Sequence, residues 1–144
     1  MSDELVGLWD SAPYEYGSME ASCVAFHADG SGWSVWENAG GAALTTIRWT
    51  RLGPAAVEVV EVETFFGRWE SPDPGVRRLV LEDAAPGGDV HELRYEVIED
   101  VPPLAEGPMV ALKLAEAYEG SSAYALSRRD VGPDDVPTVV AEEV

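Results

Sequence analysis

The chain has 144 residues, of which 27 are acidic and 9 are basic, so its formal net charge is −18. This charge argues against nucleic acid and an anionic membrane surface as partners, because both require clustered lysine and arginine. Hydrophobic residues make up 46% of the chain, too many for intrinsic disorder, and the single cysteine, Cys23, excludes an intramolecular disulfide.

Short apolar stretches separated by turn residues fill the first half of the chain. Their β-branched and aromatic residues predict strands at residues 5–9, 19–27, 32–38, 43–51 and 57–66. Between the second and third of these strands, the run Asp29-Gly30-Ser31-Gly32 predicts a hairpin turn. The acidic residues within 57–66 are predicted to lie on the solvent side of their strand.

The second half has the same character, and its predicted strands are residues 76–82, 90–99, 109–114 and 123–128. Residues 101–108 contain several prolines, which lack an N–H group, so a central strand is excluded there. Residues 110–119 have a second interpretation as a helix, because alanine, leucine, lysine and glutamate propagate helices well. We favour a strand for this segment.

The number and spacing of the predicted strands indicate an all-β fold. Consecutive hairpins favour an antiparallel up-and-down meander, and closing such a sheet into a barrel removes its exposed edges. We therefore expect a closed antiparallel up-and-down β-barrel of 8–10 strands.

The barrel domain is expected to occupy residues 1–129. Residues 130–144 hold five acidic residues and no basic one, which predicts a solvated, mostly disordered acidic tail. A docking strip for a basic partner is the alternative interpretation of this tail. The N-terminus is acidic where a signal peptide would be basic, and no apolar run approaches the about 18 residues of a membrane span, so a cytoplasmic location is expected.

Three short motifs, taken in order, resemble the calycin superfamily, in particular small bacterial lipocalin-like barrels. Residues 7–9, Gly-Leu-Trp, are similar to the Gly-x-Trp opening of a lipocalin first strand. Residues 26–32 are similar to a Phe-x-x-Asp-Gly-x-Gly turn common in these domains. Residues 124–128, Tyr-Ala-Leu-Ser-Arg, are similar to their last strand. The resemblance implies a lipocalin-like barrel.

In that family, the arginine of the last strand lies over the tryptophan of the first. The resemblance therefore implies that Arg128, or alternatively Arg129, contacts Trp9 and closes one end of the barrel, a cation–π contact worth about 0.5–2 kcal/mol. It also implies an open end and an interior that holds a small apolar molecule. The chain lacks the Thr-Asp-Tyr motif and the disulfide of the secreted members, so their export and ligands are not implied.

Aromatic residues are concentrated in the first half of the chain, and its five tryptophans exceed what a small core needs. Two interpretations stay open: these side chains fill the barrel, or some of them line a cavity for a ligand with an apolar body, oriented by one or two polar groups. The candidate ligand-binding residues are Trp33, Trp36, Arg48, Trp49, Tyr95 and Tyr124.

The direction of individual side chains limits these candidates. Trp33 and Trp36 are separated by an odd offset on one strand, so at most one of them faces the interior unless a bulge intervenes. Arg48 either points inward, where it would need Glu61, Glu63 or an acidic ligand, or points outward to a cross-strand glutamate. We favour the outward direction.

Side chains with reactive groups are few. His27 and His91 are expected at the surface, and Cys23 is expected to be a buried, inert thiol because no basic residue adjoins it. No spacing of histidine and cysteine suits a zinc ion, and no phosphate-binding or nucleophile motif is present. No metal and no cofactor are therefore expected, and catalytic residues stay unassigned.

These observations predict a protein that binds a small hydrophobic or amphipathic molecule in an aromatic-lined barrel cavity. One alternative is an enzyme of the cyclase or isomerase type that acts on such a ligand by shape and orientation. Another is an acidic interaction module, similar to an inhibitor or immunity protein, whose carboxylates steer a basic partner. The oligomeric state is open, with a homodimer as one alternative.

Overall fold

β-Strands account for most of the residues that the computed structural model describes, which are 4–14, 20–71 and 77–141. Ten strands lie in these ranges: β1 (Gly7–Asp10), β2 (Ala21–Phe26), β3 (Ser31–Asn38), β4 (Gly41–Gly53), β5 (Ala56–Glu70), β6 (Arg78–Pro86), β7 (Val90–Asp100), β8 (Met109–Tyr118), β9 (Ser121–Arg128) and β10 (Thr138–Ala141). The helices there are two short 3-10 turns, η1 (Ala12–Tyr14) and η2 (Pro133–Asp135), and neither has the length or the apolar character to cross a membrane.

Two predicted strands begin at residues 19 and 76, which lie outside the described ranges, as do both chain ends at 1–3 and 142–144. The other predicted strand positions agree with the structure to within a few residues. Residues 110–119, for which a helix was the alternative, belong to β8 and the turn after it. Burial against the neighbouring strands outweighs the helix propensity of this segment.

Eight of the described strands close into an antiparallel barrel. Their order is β1–β2–β3–β4–β5–β7–β8–β9, and β9 pairs again with β1. The expected all-β closed barrel is confirmed. The two strands outside this ring, β6 and β10, pair with each other in parallel and continue the sheet beyond the barrel wall.

Strand β5 connects these two parts because it changes partner along one edge. It has 15 residues and pairs with β4 along nearly its whole length. Its other edge pairs with β7 over residues 56–60 and with β6 over residues 63–70. The first half of β5 therefore belongs to the barrel, whereas the second half carries β6 and β10 away from it.

A β-bulge marks the point at which β5 changes partner. Ile47 of β4 lies opposite Glu61, but the preceding residue, Thr46, lies opposite Glu63. Val62 is therefore an extra residue that reverses the alternation of side chains along β5. Before the bulge the odd-numbered residues face the barrel interior, and after it the even-numbered ones do.

The centre of the barrel is a packed apolar core. Its buried members are Leu5, Trp9, Val24, Phe26, Ile47, Val57, Val59, Leu93, Tyr95, Leu112, Tyr118 and Tyr124. The void left among ten of the lining side chains is about 10 Å³, whereas a single water needs about 10–15 Å³. The aromatic residues of this centre therefore fill it, which is the first of the two interpretations that the sequence left open.

A second apolar layer lies outside the barrel wall, between the outer face of β2–β4 and the strands β6 and β10. Its buried members are Ala25, Trp33, Val35, Ala42, Leu44 and Leu79. Cys23 packs against this layer, and burial raises the pKa of its thiol to about 12. The expectation of an inert thiol agrees with this position.

The described part of the C-terminal tail differs from the mostly disordered extension that its composition predicted. Residues 138–141 form β10, in which Val139 lies opposite Leu79 of β6. Val136 and Val139 both pack on the outer layer. The segment has little apolar surface of its own, but the barrel wall offers a surface on which those two valines can be buried.

His27 is buried beside this tail, so the expected surface position is wrong. Its side chain is fully buried, and Nδ1 lies 3.0 Å from Ser31 Oγ, which donates its own proton to Asp29 (2.6 Å). His27 therefore donates from Nδ1, and Nε2 has no hydrogen-bond partner among the described residues. Pro133 and Val136 of the tail border the same groove as the Asp29–Gly32 turn, which local sequence patterns could not reveal.

One end of the barrel is closed by Trp9 and Arg129. Trp9 is fully buried, and its Nε1 donates a hydrogen bond to Leu5 O at 2.8 Å. The guanidinium carbon of Arg129 lies 5.6 Å from the centre of the Trp9 ring, and Nη1 donates to Val6 O at 3.0 Å. The side chain thus ties the end of β9 to the segment before β1.

Arg128, the first-choice partner of Trp9 in the sequence analysis, points the other way. It lies opposite Leu8, which packs on the outer layer, and directly opposed residues share a face of the sheet. Arg128 accordingly reaches outward, and its Nη2 lies 3.6 Å from Asp135 Oδ1 of η2. Because the register shifts between Leu8 and Trp9, the contact with the Trp9 ring is made by the next arginine, Arg129.

The two arginines should therefore differ in their effect on stability. Arg129→Ala is expected to lower the free energy of unfolding by about 1–2 kcal/mol, because it removes the ring contact and hydrogen bonds to backbone carbonyls. Arg128→Ala should cost less than about 0.5 kcal/mol, since it removes an exposed ion pair. Urea unfolding at neutral pH measures both, and equal losses would contradict the assignment of Arg129 as the closing residue.

Burial of His27 also predicts how stability depends on pH. Burial lowers the pKa of its imidazole below the ordinary value, and Asp29 and Asp135 offset this in part. The unfolded chain therefore binds the proton first as the pH falls through about 6.5, which favours unfolding. Between about pH 7.5 and 5.5, the free energy of unfolding in urea should fall less for His27→Asn than for the wild type. If the two proteins lose the same free energy over this range, His27 is not the group responsible.

Candidate functional site

Ionisable side chains gather at the end of the barrel opposite the Trp9–Arg129 contact. Glu61 comes from the middle of β5, His91 from the start of β7, and Glu119 from the turn between β8 and β9. His91 Nε2 lies 3.6 Å from Glu61 Oε1, and the His91 ring meets the Tyr118 ring edge-on with 5.2 Å between centres. Together with Ser34 of β3, these residues form what we call the polar mouth: Ser34, Glu61, His91, Tyr118 and Glu119.

The bulge at Val62 is the reason that Glu61 faces inward. Ile47 belongs to the barrel core and lies opposite Glu61, so both side chains project from the same face of the sheet. The Glu61 side chain is only 14% exposed. The expectation that the acidic residues of this strand all face solvent is therefore wrong for Glu61.

The connection between β6 and β7 holds the backbone of Glu61 in place. Gly88 N donates to Glu61 O at 2.7 Å, and Glu61 N donates to Asp89 O at 2.9 Å. Gly87 N donates to Val62 O at 3.0 Å, and a Cβ atom at Gly87 would lie 2.3 Å from Glu61 O. Glycine is required at position 87 because the two backbone segments approach so closely.

Glu119 occupies a backbone conformation that glutamate rarely adopts. Tyr118 pairs with Ser121, so Glu119 and Gly120 form a two-residue hairpin turn in which φ is +53° and +80°. Turns with two positive φ values prefer asparagine, aspartate or glycine at the first position, and the left-handed conformation costs other residues about 1–2 kcal/mol. The carboxyl group is thus placed at the polar mouth at the expense of stability.

The carboxyl groups of the polar mouth are harder to ionise than usual. Burial raises the pKa of Glu61, with a further increase from Asp89, while His91 acts in the opposite direction. Burial also raises the pKa of Glu119, again with a second carboxylate, Glu61, adding to the shift and His91 opposing it. Each of these carboxyl groups therefore has another carboxylate acting against its ionisation, and His91 opposes both shifts.

The polar mouth also contains buried hydroxyl groups. Ser34 is fully buried and Tyr118 is 4% exposed. Their hydroxyl groups lie close enough for Ser34 to influence the pKa of Tyr118, which burial raises. Neither oxygen, however, makes a hydrogen bond of standard length and angle to the residues that the structure describes. Buried hydroxyls without such bonds are uncommon in native proteins.

Two aromatic residues project from the same inward face of the sheet, and one of them, Trp36, borders the polar mouth. Trp36 lies opposite Ala43, and Ala43 lies opposite Phe66, so all three project to one side. The Trp36 ring approaches the β8–β9 turn, since a Cβ atom at Gly120 would lie 3.5 Å from Trp36 Nε1. Phe66 is 41% exposed. The edge of the polar mouth is thus aromatic and partly open to solvent.

The predicted ligand-binding residues do not form one site. Trp36 reaches the polar mouth, but Trp33 lies in the outer layer, as their odd spacing required of one of them. Arg48 is exposed on the outer face of the barrel, the direction that we favoured, and borders a groove of about 440 Å³ beside Pro133. Its neighbourhood is therefore separate from the interior.

The remaining candidates have structural contacts inside the barrel. Trp49 packs edge-on against Phe26, and its Nε1 donates to His27 O at 3.0 Å. Tyr95 belongs to the packed core. Tyr124 is fully buried, donates to Tyr118 O, and accepts a hydrogen bond from Ser22 Oγ at 3.1 Å. These side chains support the wall of the barrel rather than line an empty cavity.

Sequence reasoning missed Glu61 and Glu119 as members of a site. Glu61 sits in an alternating valine–glutamate pattern that is typical of a solvent-facing edge, and the bulge that turns it inward has no local signature. Glu119-Gly120 did carry a signal, because a glycine preceded by one polar residue between two strands indicates a tight hairpin. His91, which was expected at the surface, is 38% exposed and lies at the polar mouth.

The chemistry available here follows from the donor and acceptor set. In the described residues, no group of three or more histidine, cysteine, aspartate or glutamate side chains is arranged to hold a metal ion. The carboxylates accept hydrogen bonds, the hydroxyls donate or accept them, and a carboxyl group next to an imidazole can exchange protons. The arrangement therefore suits recognition of a small polar group.

Comparisons with known proteins do not add a relative. The chain shows no significant match to any protein-family model, to any curated protein or to any solved structure.

The conformation of Glu119 predicts that replacing it stabilises the protein. Glu119→Asn should raise the free energy of unfolding by about 1 kcal/mol at pH 7, because asparagine tolerates positive φ and carries no charge. Because the pKa of Glu119 is raised in the folded state, its charge destabilises the fold at neutral pH and ceases to do so near pH 4. The gain should therefore shrink as the pH falls.

Glu119→Gln is the matched control, since it removes the charge but keeps the backbone strain. Urea unfolding of both variants at pH 7 and pH 4 separates the two contributions. If Glu119→Asn is no more stable than Glu119→Gln at either pH, the backbone of residue 119 is not strained.

Proposed function

We propose that the protein is a lipocalin-like barrel that binds a small amphipathic molecule at the polar mouth. The observation that supports this is the pair of buried hydroxyls, on Ser34 and Tyr118, that lack standard hydrogen bonds beside two carboxyl groups. Burying a hydroxyl group whose hydrogen bonding is incomplete costs about 1–3 kcal/mol. A bound polar group that supplies the missing bonds offsets this cost.

The apolar part of the ligand would lie against Trp36 and Phe66. Both project from the inward face, with Trp36 beside the polar mouth, and they are two strands apart, about 10 Å. That spacing admits an alkyl chain or a ring between them. The centre of the barrel is a less favourable place for the ligand, because a void of about 10 Å³ accepts no organic molecule.

Proton-transfer catalysis at the same place is the second candidate function. Burial raises the pKa of Glu61, and His91 Nε2 lies 3.6 Å from its carboxyl group. A carboxyl group with a raised pKa beside an imidazole is an arrangement that general acid–base catalysis uses. An isomerase would need no further motif, so turnover of any ligand that binds should be examined.

Tryptophan fluorescence tests the proposed function. Titration with 1-decanol, decylamine and decanoate, which share one alkyl chain, should give a saturable change in emission with at least one of the three. The change should disappear in Trp36→Phe, because Trp36 lies at the polar mouth. Trp33→Phe is the matched control, since Trp33 lies in the outer layer and should leave the response intact.

Two results would overturn the proposal. One is the absence of any saturable response or thermal shift with all three compounds. The other is a response that survives in Trp36→Phe and disappears in Trp33→Phe, which would place the ligand in the outer layer.

A further inference from the structure

We propose that the ligand of the polar mouth carries a positively charged amine, which is seated between Glu61 and Glu119. This inference rests on the proposed function and adds the chemical class of the ligand to it. An alkylammonium group has N–H donors and no acceptor, so it needs a site made of acceptors. The polar mouth offers such acceptors in the carboxyl groups of Glu61 and Glu119 and the hydroxyl oxygens of Ser34 and Tyr118.

The charges at the polar mouth do not balance. Three acidic groups contribute negative charge there: Glu61, Asp89 and Glu119. His91 is the group that opposes them at both glutamates. Within the part of the chain that the structure describes, neither an arginine nor a lysine is among the main charges acting on these two carboxyls. Partly buried carboxylates are ordinarily compensated by a cation, and a bound ammonium group would supply one.

The buried hydroxyls are an independent observation that points to a ligand with a polar group. The Tyr118 ring packs on His91, and the Ser34 hydroxyl is a neighbour of the Tyr118 hydroxyl. Both hydroxyl oxygens are enclosed, one fully buried and the other 4% exposed, yet neither makes a standard hydrogen bond to a described residue. A hydroxyl oxygen, like a carboxylate oxygen, can accept a hydrogen bond from an ammonium N–H group. The two types of acceptor can therefore bind one cation together.

The position of Glu119 gives a further reason to connect the carboxylates with binding. Its backbone has a φ of +53°, a conformation in which asparagine or glycine is preferred. Its carboxyl group is also partly buried, and Glu61 adds to the increase in its pKa. A residue that is unfavourable in both respects is one that a binding site explains, whereas a purely structural turn has no use for it.

Isothermal titration of the full chain with decylamine and 1-decanol tests the inference. Both have the same alkyl chain, and decylamine is cationic at neutral pH. Decylamine should bind at least about tenfold more tightly, a difference of about 1.4 kcal/mol. Its affinity should fall between about 50 mM and 500 mM NaCl, whereas that of 1-decanol should not, because salt screens only the charged ligand.

Variants locate the charge that is responsible. Glu61→Gln and Glu119→Gln should each weaken decylamine binding by about tenfold and leave 1-decanol binding unchanged. Glu58→Gln is the matched control, because Glu58 lies on the same strand between the inward-facing Val57 and Val59 and therefore faces outward. It should retain wild-type affinity for decylamine. Circular dichroism and thermal unfolding confirm that each variant is folded.

The outcomes separate this inference from the proposed function. If 1-decanol or decanoate binds as tightly as decylamine, with an unchanged response in Glu61→Gln, the polar mouth binds an amphipathic molecule but does not select a cation. If decylamine binds equally to Glu58→Gln, Glu61→Gln and Glu119→Gln, its attraction comes from the net charge of the protein, and the inference fails. If decylamine, 1-decanol and decanoate all fail to bind, the proposed function itself fails.

Discussion

The fold depends on how one edge of β5 is satisfied. Every peptide group along that edge needs a partner, and no single neighbouring strand covers its 15 residues. Strand β7 pairs with the first part and β6 with the last. Between them, the N–H groups of Gly87 and Gly88 and the carbonyl of Asp89 bond to the backbone of Glu61 and Val62. This junction allows one strand to serve both the barrel and the outer layer.

The same junction creates the candidate site. The bulge at Val62 is needed for β5 to leave the barrel wall, and it also reverses which side chains face inward. Glu61 is the last inward residue before the reversal. A carboxyl group is therefore held at the end of the apolar core by backbone hydrogen bonds, while His91 and Tyr118 from neighbouring strands pack around it. Site and fold have one structural origin.

The two ends of the barrel have different chemistry because different demands act on them. At the Trp9 end, an indole and a guanidinium complete the hydrogen bonding of the segment before β1. At the polar mouth, buried hydroxyls and neighbouring carboxyls are assembled with incomplete compensation. Proteins accept such local costs at places where a ligand or a reaction uses them. The packed centre between the two ends holds the barrel rigid.

The outer layer explains why two local expectations failed. Residues 130–141 read as a solvated tail, and His27 read as a surface residue at the end of a strand. Each interpretation considered the segment alone. In the folded chain, Val136 and Val139 pack on the outer wall, and His27 is fully buried, with Asp135 of the tail among the charges that act on it. Contacts between residues so far apart in sequence have no local pattern.

The sequence by itself determined the secondary structure and the class of fold. Alternating apolar and polar residues, β-branched side chains and glycine-containing turns specify strands over short windows, and short hairpins leave antiparallel closure as the economical way to remove sheet edges. It also determined that Trp33 and Trp36 face opposite sides. Tertiary structure alone decided which side is the interior, because one bulge reverses the parity of every residue that follows. For the same reason, it alone brought Glu61, His91 and Glu119 together.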